Sequence, residues 1–285
     1  MTSRTDSNLA ATYRTQGYAV ARGVFSPGEV AAMAASFDRF YAEGLRLGRS
    51  WRRENLFYRV VPDQNLGRIV RLVQWPSYID DVLGGVRLDR RLCDLVSPII
   101  GDDLKQIINQ MHWKPPGAAM VDFAYHQDCR FRRPASAFRD LGDSYVQTGI
   151  AVDPHTPESG AMRVLPGSHL RGDLDMGDER PVLQQTMTDT TLHDKGLNPD
   201  DLVDLVLAPG DVAMWSPYLV HGSGANRTAR DRRLYINGYV KGDKADRGEP
   251  AFRHGVPVPL SGRPAVIHFD AVATRPEPHF VDEDY

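Results

Sequence analysis

The first hundred residues carry apolar side chains mainly at helical spacing, whereas short alternating apolar and polar stretches dominate after about residue 104. A strand-like stretch over residues 18–24 is followed by a helix start, in which Ser26 is a favourable N-cap, Pro27 suits the first helical position and Glu29 completes a capping box. One face of the following segment is apolar, with Val30, Met33, Phe37, Phe40 and Tyr41. This spacing predicts an amphipathic helix that packs on a core and ends near Gly44 or Gly48.

The remaining pattern predicts a mainly β protein with flanking helices. Residues 50–75 are rich in arginine and we expect them to be irregular, while residues 78–101 predict one or two further helices. Strand candidates then recur between Gly, Pro, Asn and Asp, in "LKQIINQMHWK", "DSYVQTGIAVD", "GAMRVLPGS", "GDVAMWSPYLVHGS" and "RRLYINGYV". Many short strands at this spacing favour a sandwich or barrel of antiparallel strands.

We expect residues 1–285 to form a single domain in three parts. Residues 1–103 would add a strand and helices, residues 104–240 would form the β core, and residues 241–285 would be an extended C-terminal segment. The last part is rich in Pro and Gly, and it either wraps the barrel or forms a loop near its mouth.

Composition narrows the class of protein. The chain has 285 residues, 41% of them hydrophobic, and its 37 acidic and 34 basic residues give a net charge of -3 without long runs of one sign. This balance argues against a nucleic-acid or anionic-membrane partner. The two cysteines, Cys93 and Cys129, form no C-x-x-C pair, and there is no signal-like or membrane-spanning apolar run. We therefore expect a cytoplasmic protein that acts on a small molecule.

One constellation of residues is typical of a metal site. A 2-His-1-carboxylate triad holds Fe(II) on one face and leaves positions open for a co-substrate and O2. In an extended segment His126 and Asp128 would project to the same side, and His221 lies 95 residues further on, before a Gly-containing turn. A second H-x-D, at His268 and Asp270, shows that the tripeptide alone is weak evidence.

Arginines that follow His221 distinguish the two H-x-D sequences. A guanidinium binds carboxylates through two parallel hydrogen bonds, which suits the distal carboxylate of 2-oxoglutarate. In "RRLYINGYV", Arg232 shares a face with Leu234 and Ile236, whereas Arg233 shares the other with Tyr235. Alternation therefore predicts Arg232 as the inward-pointing anchor, with Arg230 as the alternative.

The chain resembles the phytanoyl-CoA dioxygenase family of Fe(II)- and 2-oxoglutarate-dependent oxygenases. The resemblance rests on "GYAVARGVFSPGEV", "HQD", "SGAMRVLPGSH" and "PGDVAMWSPYLVHGSGANRT" in this order, followed by an arginine. It implies a double-stranded β-helix, a jelly-roll, cupin-like barrel. It also implies His126, Asp128 and His221 as iron ligands, with Arg232 and Ser223 as contacts to 2-oxoglutarate. A further co-substrate contact from the strand before H-x-D is expected at Gln110.

The resemblance also implies the reaction and its cofactors. Fe(II), 2-oxoglutarate and O2 would together oxidise a substrate, with release of succinate and CO2. In related halogenases a small residue replaces the triad carboxylate, whereas Asp128 is present here. Hydroxylation, or another oxidation such as desaturation or ring formation, is thus favoured over halogenation.

The substrate is less specified than the reaction. Arg130 or Arg132, directly after the ligands, could reach a substrate carboxylate or phosphate, and Gln147 and Gly149 on the next strand could also contact the substrate. We expect Trp113, Phe131, Phe138 and Trp215 near these arginines, which suits a partly apolar anion from secondary metabolism. The sequence does not identify the substrate or the oligomeric state.

Two other functions remain open from the sequence alone. A zinc hydrolase could use the same His/Asp/His set to activate water, but it would not need Arg232. A barrel without catalytic activity could have kept the fold as a small-molecule binding module.

Overall fold

The computed structural model describes residues 4–119, 121–176, 188–261 and 279–281. Its helices are α1 (Arg4–Gln16), α2 (Pro27–Leu47), α3 (Asp81–Arg87), α4 (Arg90–Ile100), α5 (Leu141–Ser144) and α6 (Thr190–Asp194). Its strands are β1 (Tyr18–Ala21), β2 (Trp51–Arg53), β3 (Leu56–Asp63), β4 (Gly67–Gln74), β5 (Leu104–Lys114), β6 (Phe123–His126), β7 (Tyr145–Ala151), β8 (Met162–Val164), β9 (Val203–Asp204), β10 (Val212–Trp215), β11 (His221–Ser223), β12 (Arg232–Lys241), β13 (Glu249–Arg253), β14 (Val256–Pro257) and β15 (His279–Phe280). None of the described helices has both the length and the apolar character of a membrane span.

The predicted amphipathic helix is α2. Ser26 accepts a hydrogen bond from the Glu29 amide, and the Glu29 carboxylate accepts one from the Ser26 amide, which is the reciprocal capping box. The helix ends at Gly48 in a left-handed conformation. Its apolar face, including Met33, Phe37 and Phe40, is buried in the main core against β3, β4 and β5.

Two antiparallel sheets form the framework of the molecule. Within the described residues the larger sheet has eleven strands, ordered β1-β10-β7-β12-β5-β4-β3-β2-β15, with β13 and β14 paired beside β5. The smaller sheet has the order β6-β11-β8-β9. Met162 and Val164 of the smaller sheet share an apolar cluster with Trp215 and Leu234 of the larger one, so the inner faces of the two sheets pack together.

Hydrogen bonds join the early motif around residues 18–25 to the late motif around residues 210–215. Strand β1 pairs with β10, and the Phe25 amide donates to the Gly210 carbonyl (3.1 Å). Gly210 has a φ of +88°, and a Cβ there would lie 3.2 Å from the Phe25 carbonyl carbon, so only glycine fits. Asp211 then accepts hydrogen bonds from Gly23 and Arg22. These contacts fix the edge of the larger sheet.

Residues 50–75, expected to be irregular, form β2, β3 and β4, because their arginines are accommodated in the packing: Arg52 lies over the Phe57 ring and Arg71 over the Phe123 ring. The described parts of the C-terminal segment extend the larger sheet through β13 and β15. His268 and Asp270 lie outside the described residues.

Candidate metal centre and co-substrate pocket

The three predicted ligands meet at the edge of the smaller sheet. His126 is the last residue of β6, His221 is the first of β11, and the two are paired across the strands. Asp128 opens a 3₁₀ turn (Asp128–Phe131) rather than continuing the strand. One ligand atom from each residue lies within 4.8 Å of the others, and all three side chains are buried. The arrangement can hold one metal ion on a single face, as a facial triad does.

Both histidines are oriented by backbone contacts. His126 Nδ1 lies 2.7 Å from the Ala124 carbonyl oxygen, and His221 Nδ1 lies 2.9 Å from that of Leu219. Since a carbonyl only accepts, each Nδ1 carries the proton and each Nε2 presents its lone pair. The Nε2 atoms lie 3.6 and 3.8 Å from Asp128 Oδ1. This donor set fits a divalent iron ion.

The two oxygens of Asp128 have different partners. Oδ1 faces the histidines, while Oδ2 accepts a hydrogen bond from Trp215 Nε1 at 2.9 Å. Burial alone would raise the pKa of Asp128, but the histidines and Arg132 lower it below its usual range. Asp128 is therefore an ionised carboxylate held in place from the larger sheet. Sequence reasoning had placed Trp215 in the pocket without this role.

The side chain of the predicted anchor Arg232 is buried at the start of β12, without a counter-ion among the described residues. Arg232 is 3% exposed, and its side chain donates no hydrogen bond to the described residues and forms no ion pair with them; the Nε atom is buried without a partner. Burial lowers the pKa of Arg232 to about 10, so it remains charged at neutral pH. Arg233 points away and pairs with Asp153 and Asp38, and Arg230 is exposed. Alternation therefore separated the inward from the outward arginine correctly.

Lys114 is a second buried cation beside Arg232, and the sequence analysis did not select it. The two residues are paired between β5 and β12. Lys114 Nζ donates to Ser223 Oγ (2.7 Å) and to the carbonyl oxygens of Ser223 and Gly224. Burial, with Arg232 and Arg71 nearby, lowers the pKa of Lys114 well below its usual value. Its position on the inner face of β5 was visible, but its proximity to Ser223 depends on packing between the sheets.

Gln110 lies on the same inner face of β5, half-buried. Its Oε1 accepts from His112 Nε2 at 2.9 Å, and the His112 ring packs at a tilt of 41° against the Phe123 ring. Burial together with Arg71 and Arg232 lowers the pKa of His112 to about 3, so His112 is neutral at physiological pH. The co-substrate contact expected at Gln110 stays a prediction.

The predicted substrate residues differ in their positions. Arg132 is buried with its guanidinium 5.0 Å from the Tyr145 ring centre, whereas Arg130 is half-buried over Phe131. Gln147 is buried and its Oε1 accepts from the Tyr145 hydroxyl. The space beside Gly149 is filled, since a Cβ there would lie 3.1 Å from the Trp215 ring and 3.2 Å from Leu234. Gly149 therefore makes room for the Trp215 side chain that supports Asp128.

The expected aromatic pocket is only partly assembled. Phe131 is exposed at the site, where its ring meets the edge of His126 at 5.7 Å between centroids. Trp113 instead lies on the outer face of β5, packed on Phe37 at 4.9 Å, so its placement in the pocket was wrong. Phe138 packs on a different apolar cluster, with Tyr145 and Val240.

Comparison with known proteins identifies the family. The family model of phytanoyl-CoA dioxygenase (PhyH) matches residues 13–234. This chain belongs to the phytanoyl-CoA dioxygenase family. A probable alpha-ketoglutarate-dependent hypophosphite dioxygenase of Stutzerimonas stutzeri is 26% identical over 176 residues, which are 62% of this chain and 59% of that protein. The dioxygenase lolE1 of Epichloe uncinata is 24% identical over 246 residues, 85% of this chain and 83% of that protein.

A solved structure supports the fold. The non-heme alpha ketoglutarate dependent epimerase SnoN, from nogalamycin biosynthesis, superposes with a TM-score of 0.61 at 23% identity, covering 92% of this chain and 98% of that one. The two-sheet framework is thus the predicted double-stranded β-helix. As a member of the family, the chain is an Fe/2-oxoglutarate-dependent oxygenase that uses O2. Neither alternative from the sequence, the zinc hydrolase or the silent binding barrel, is supported by these comparisons.

Proposed function

We propose that this oxygenase hydroxylates a small organic molecule of secondary metabolism, forming succinate and CO2. His126, Asp128 and His221 bind the iron. Arg232 binds the distal carboxylate of 2-oxoglutarate, assisted by Lys114 and by the hydroxyl of Ser223. Asp128 favours hydroxylation over halogenation, since it fills the coordination position that a halide would need.

The observation that supports this assignment is the unpaired guanidinium of Arg232. A buried charge without a partner costs several kcal/mol, so its retention implies that a ligand supplies the counter-ion. Two further buried basic residues, Lys114 and Arg71, interact with Arg232, so this region favours an anion. A dicarboxylate with one end on the metal would satisfy it. A zinc hydrolase would leave this charge unexplained.

The residues of the chain prepare the site before any ligand binds. The backbone carbonyls at Ala124 and Leu219 fix the histidine tautomers, and Trp215 fixes the Asp128 carboxylate. The bound iron and 2-oxoglutarate would supply the oxidising chemistry with O2. Arg232 and Lys114 are buried away from water, and the low local dielectric constant strengthens the attraction of Arg232 for a carboxylate.

The test is an anaerobic titration of the metal-free protein with Fe(II) and then 2-oxoglutarate, following the weak visible charge-transfer band of the chelate. The wild-type protein should develop the band. His221→Ala should lose it, and Arg232→Gln should need about 10–100-fold more 2-oxoglutarate, because a charge-assisted pair contributes about 1.5–3 kcal/mol.

Arg233→Gln is the matched control. It removes the neighbouring guanidinium, which is bound to Asp153 and Asp38 on the other face, and it should titrate like the wild type. Equal weakening in both arginine variants would show that general charge, not the Arg232 position, matters. No band in folded wild-type protein would reject the proposal.

The reaction type and substrate then require a search. The relatives are named for oxidation of a small phosphorus compound and for an unspecified dioxygenation, and the structural neighbour is an epimerase. Candidate molecules should therefore be screened by the succinate that they release, followed by mass analysis of the product. A gain of one oxygen atom would support hydroxylation, and an unchanged mass would indicate epimerisation instead.

A further inference from the structure

The buried arginines divide into two groups by their partners. In the first group, Arg52, Arg71 and Arg87 donate to backbone carbonyls. Arg59 also has an interaction partner and belongs to this group. The Nε atom is buried without a partner in members of both groups, including Arg52, Arg71 and Arg87, but within the described part of the chain the side chains of Arg132 and Arg232 form no hydrogen bond and no ion pair at all. The criterion that marks Arg232 as a ligand-binding residue therefore marks Arg132 as well.

Arg132 lies close to the metal site. It follows the 3₁₀ turn that begins with Asp128, and its charge contributes to lowering the pKa of that carboxylate. Its guanidinium stacks over the Tyr145 ring, and the preceding residue, Phe131, is exposed beside His126. The loop thus places the buried charge of Arg132 next to the exposed apolar ring of Phe131.

Arg132 contacts Tyr145, which with Gln147 lies beside the end of β12, whereas Arg232 lies at the start of the same strand. Arg232 begins the strand opposite Lys114, whereas Gly238 lies opposite Gln147, whose side chain accepts from Tyr145. Six residues of extended strand separate these two positions by roughly 20 Å. Such a spacing favours separate anions for the two arginines, rather than one short diacid that is also chelated to the metal.

A second hydrogen-bond donor accompanies Arg132. The Tyr145 hydroxyl donates to Gln147 Oε1, since burial raises the pKa of Tyr145 and keeps it a neutral phenol. The Gln147 amide nitrogen donates to none of the described residues. Glycine at position 238 is required for this pair, because a Cβ there would lie 2.5 Å from Gln147 Oε1 and 2.9 Å from the Ile108 Cβ.

We propose that Arg132 binds an anionic group of the organic substrate, a carboxylate or a phosphonate, with the Gln147 amide as second donor. The inference rests on the proposed function, because it assigns the substrate side of the same site. Phe131 would cover the apolar part of the molecule that lies between the anion and the metal. A substrate of this class carries its charge at a fixed distance from the carbon that is oxidised.

The test isolates Arg132 by using Arg232→Gln as the background, so that Arg132 is the one unpaired buried guanidinium left among the described residues. Metal-free Arg232→Gln protein is heated with propionate, methylphosphonate or uncharged propionamide at matched ionic strength. At tenfold excess over Kd, a binding anion should raise the Tm by about 2–4 °C, and propionamide should not. The two anions distinguish a planar carboxylate site from a tetrahedral phosphonate site.

Further variants of the same background identify the residue. Adding Arg132→Gln should abolish the anion-dependent shift, Arg132→Lys should retain part of it, and Arg130→Gln, which removes a charge from the same loop, should retain all of it. No shift in the background protein, a full shift with Arg132→Gln, or equal losses at positions 130 and 132 would each overturn the proposal.

The charge-transfer titration separates this inference from the proposed function. Arg132→Gln in the otherwise wild-type chain should still form the Fe(II) and 2-oxoglutarate band. If the wild type forms no band while the anion shift still depends on Arg132, the anion site stands and the oxygenase assignment fails. If the band forms without an Arg132-dependent shift, the reverse holds.

Discussion

Trp215 is the residue through which the larger sheet contacts Asp128, one of the proposed metal ligands. Its indole donates to Asp128 Oδ2 at 2.9 Å, leaving Oδ1 for the metal. Trp215→Phe keeps most of the packing but removes this donor, so the carboxylate loses its fixed orientation. We expect Fe(II) affinity to fall about 10–100-fold, as is common when a ligand loses its hydrogen-bond partner. Anaerobic competition with a metal chelator measures this affinity.

Trp113→Phe is the matched control for that change. Trp113 is as deeply buried, but it packs on Phe37 in the core behind β5. This variant should lose stability and keep its Fe(II) affinity. If the two variants bind Fe(II) equally well, the Trp215 hydrogen bond has no role in holding the metal.

Strand β12 is the element that organises the inner surface, with Arg232 at its start and Gly238 near its end. Gly238→Ala would place a methyl group against Gln147 and Ile108. Because overpacking typically costs 1–3 kcal/mol, we expect a loss of about that size in the free energy of unfolding. Urea denaturation measures it.

A glycine in open space provides the comparison. Gly85 lies in α3 and a Cβ there meets no atom within 4 Å, so Gly85→Ala should raise the free energy of unfolding by up to about 1 kcal/mol through helix propensity. An undiminished stability of Gly238→Ala would show that Tyr145 and Gln147 can move away, and that the space at β12 is not restricted.

At the element scale, local sequence rules predicted the features that depend only on neighbouring residues, such as a helix start or the face of a strand. The capping box at Ser26 marked the start of α2, and alternation in β12 separated Arg232 from Arg233. Strands β2 to β4 were missed because the arginine-rich segment was expected to be irregular, whereas Arg52 and Arg71 are buried over aromatic rings within these strands. Lys114 and the Trp215 hydrogen bond depend on contacts between distant segments, which no local pattern contains.

Charge is distributed unevenly through the whole molecule. The chain is slightly acidic overall, yet one end of its interior holds Arg71, Lys114 and Arg232 together. Burial is the main cause of the lowered pKa of Arg71, Lys114 and His112, and the charge of Arg232 adds to the lowering in each case. The free protein therefore carries an electrostatic cost that the proposed binding of a carboxylate at Arg232 would offset.

This cost predicts that loss of function at Arg232 is accompanied by a gain in stability. Without ligands, Arg232→Gln should melt at least about 2 °C above the wild type, because an unpaired buried charge and its repulsion of Lys114 and Arg71 are removed. Arg87→Gln should melt lower, since Arg87 donates to the Pro250 and Val258 carbonyls, which would lose their partner. With Fe(II) and 2-oxoglutarate at 100 times Kd, the wild type should gain about 2.7 kcal/mol and become more stable than Arg232→Gln, which should gain much less.

Differential scanning fluorimetry under anaerobic conditions measures the melting temperatures of all three proteins. A lower melting temperature for ligand-free Arg232→Gln than for the wild type would show that the guanidinium is already compensated within the fold.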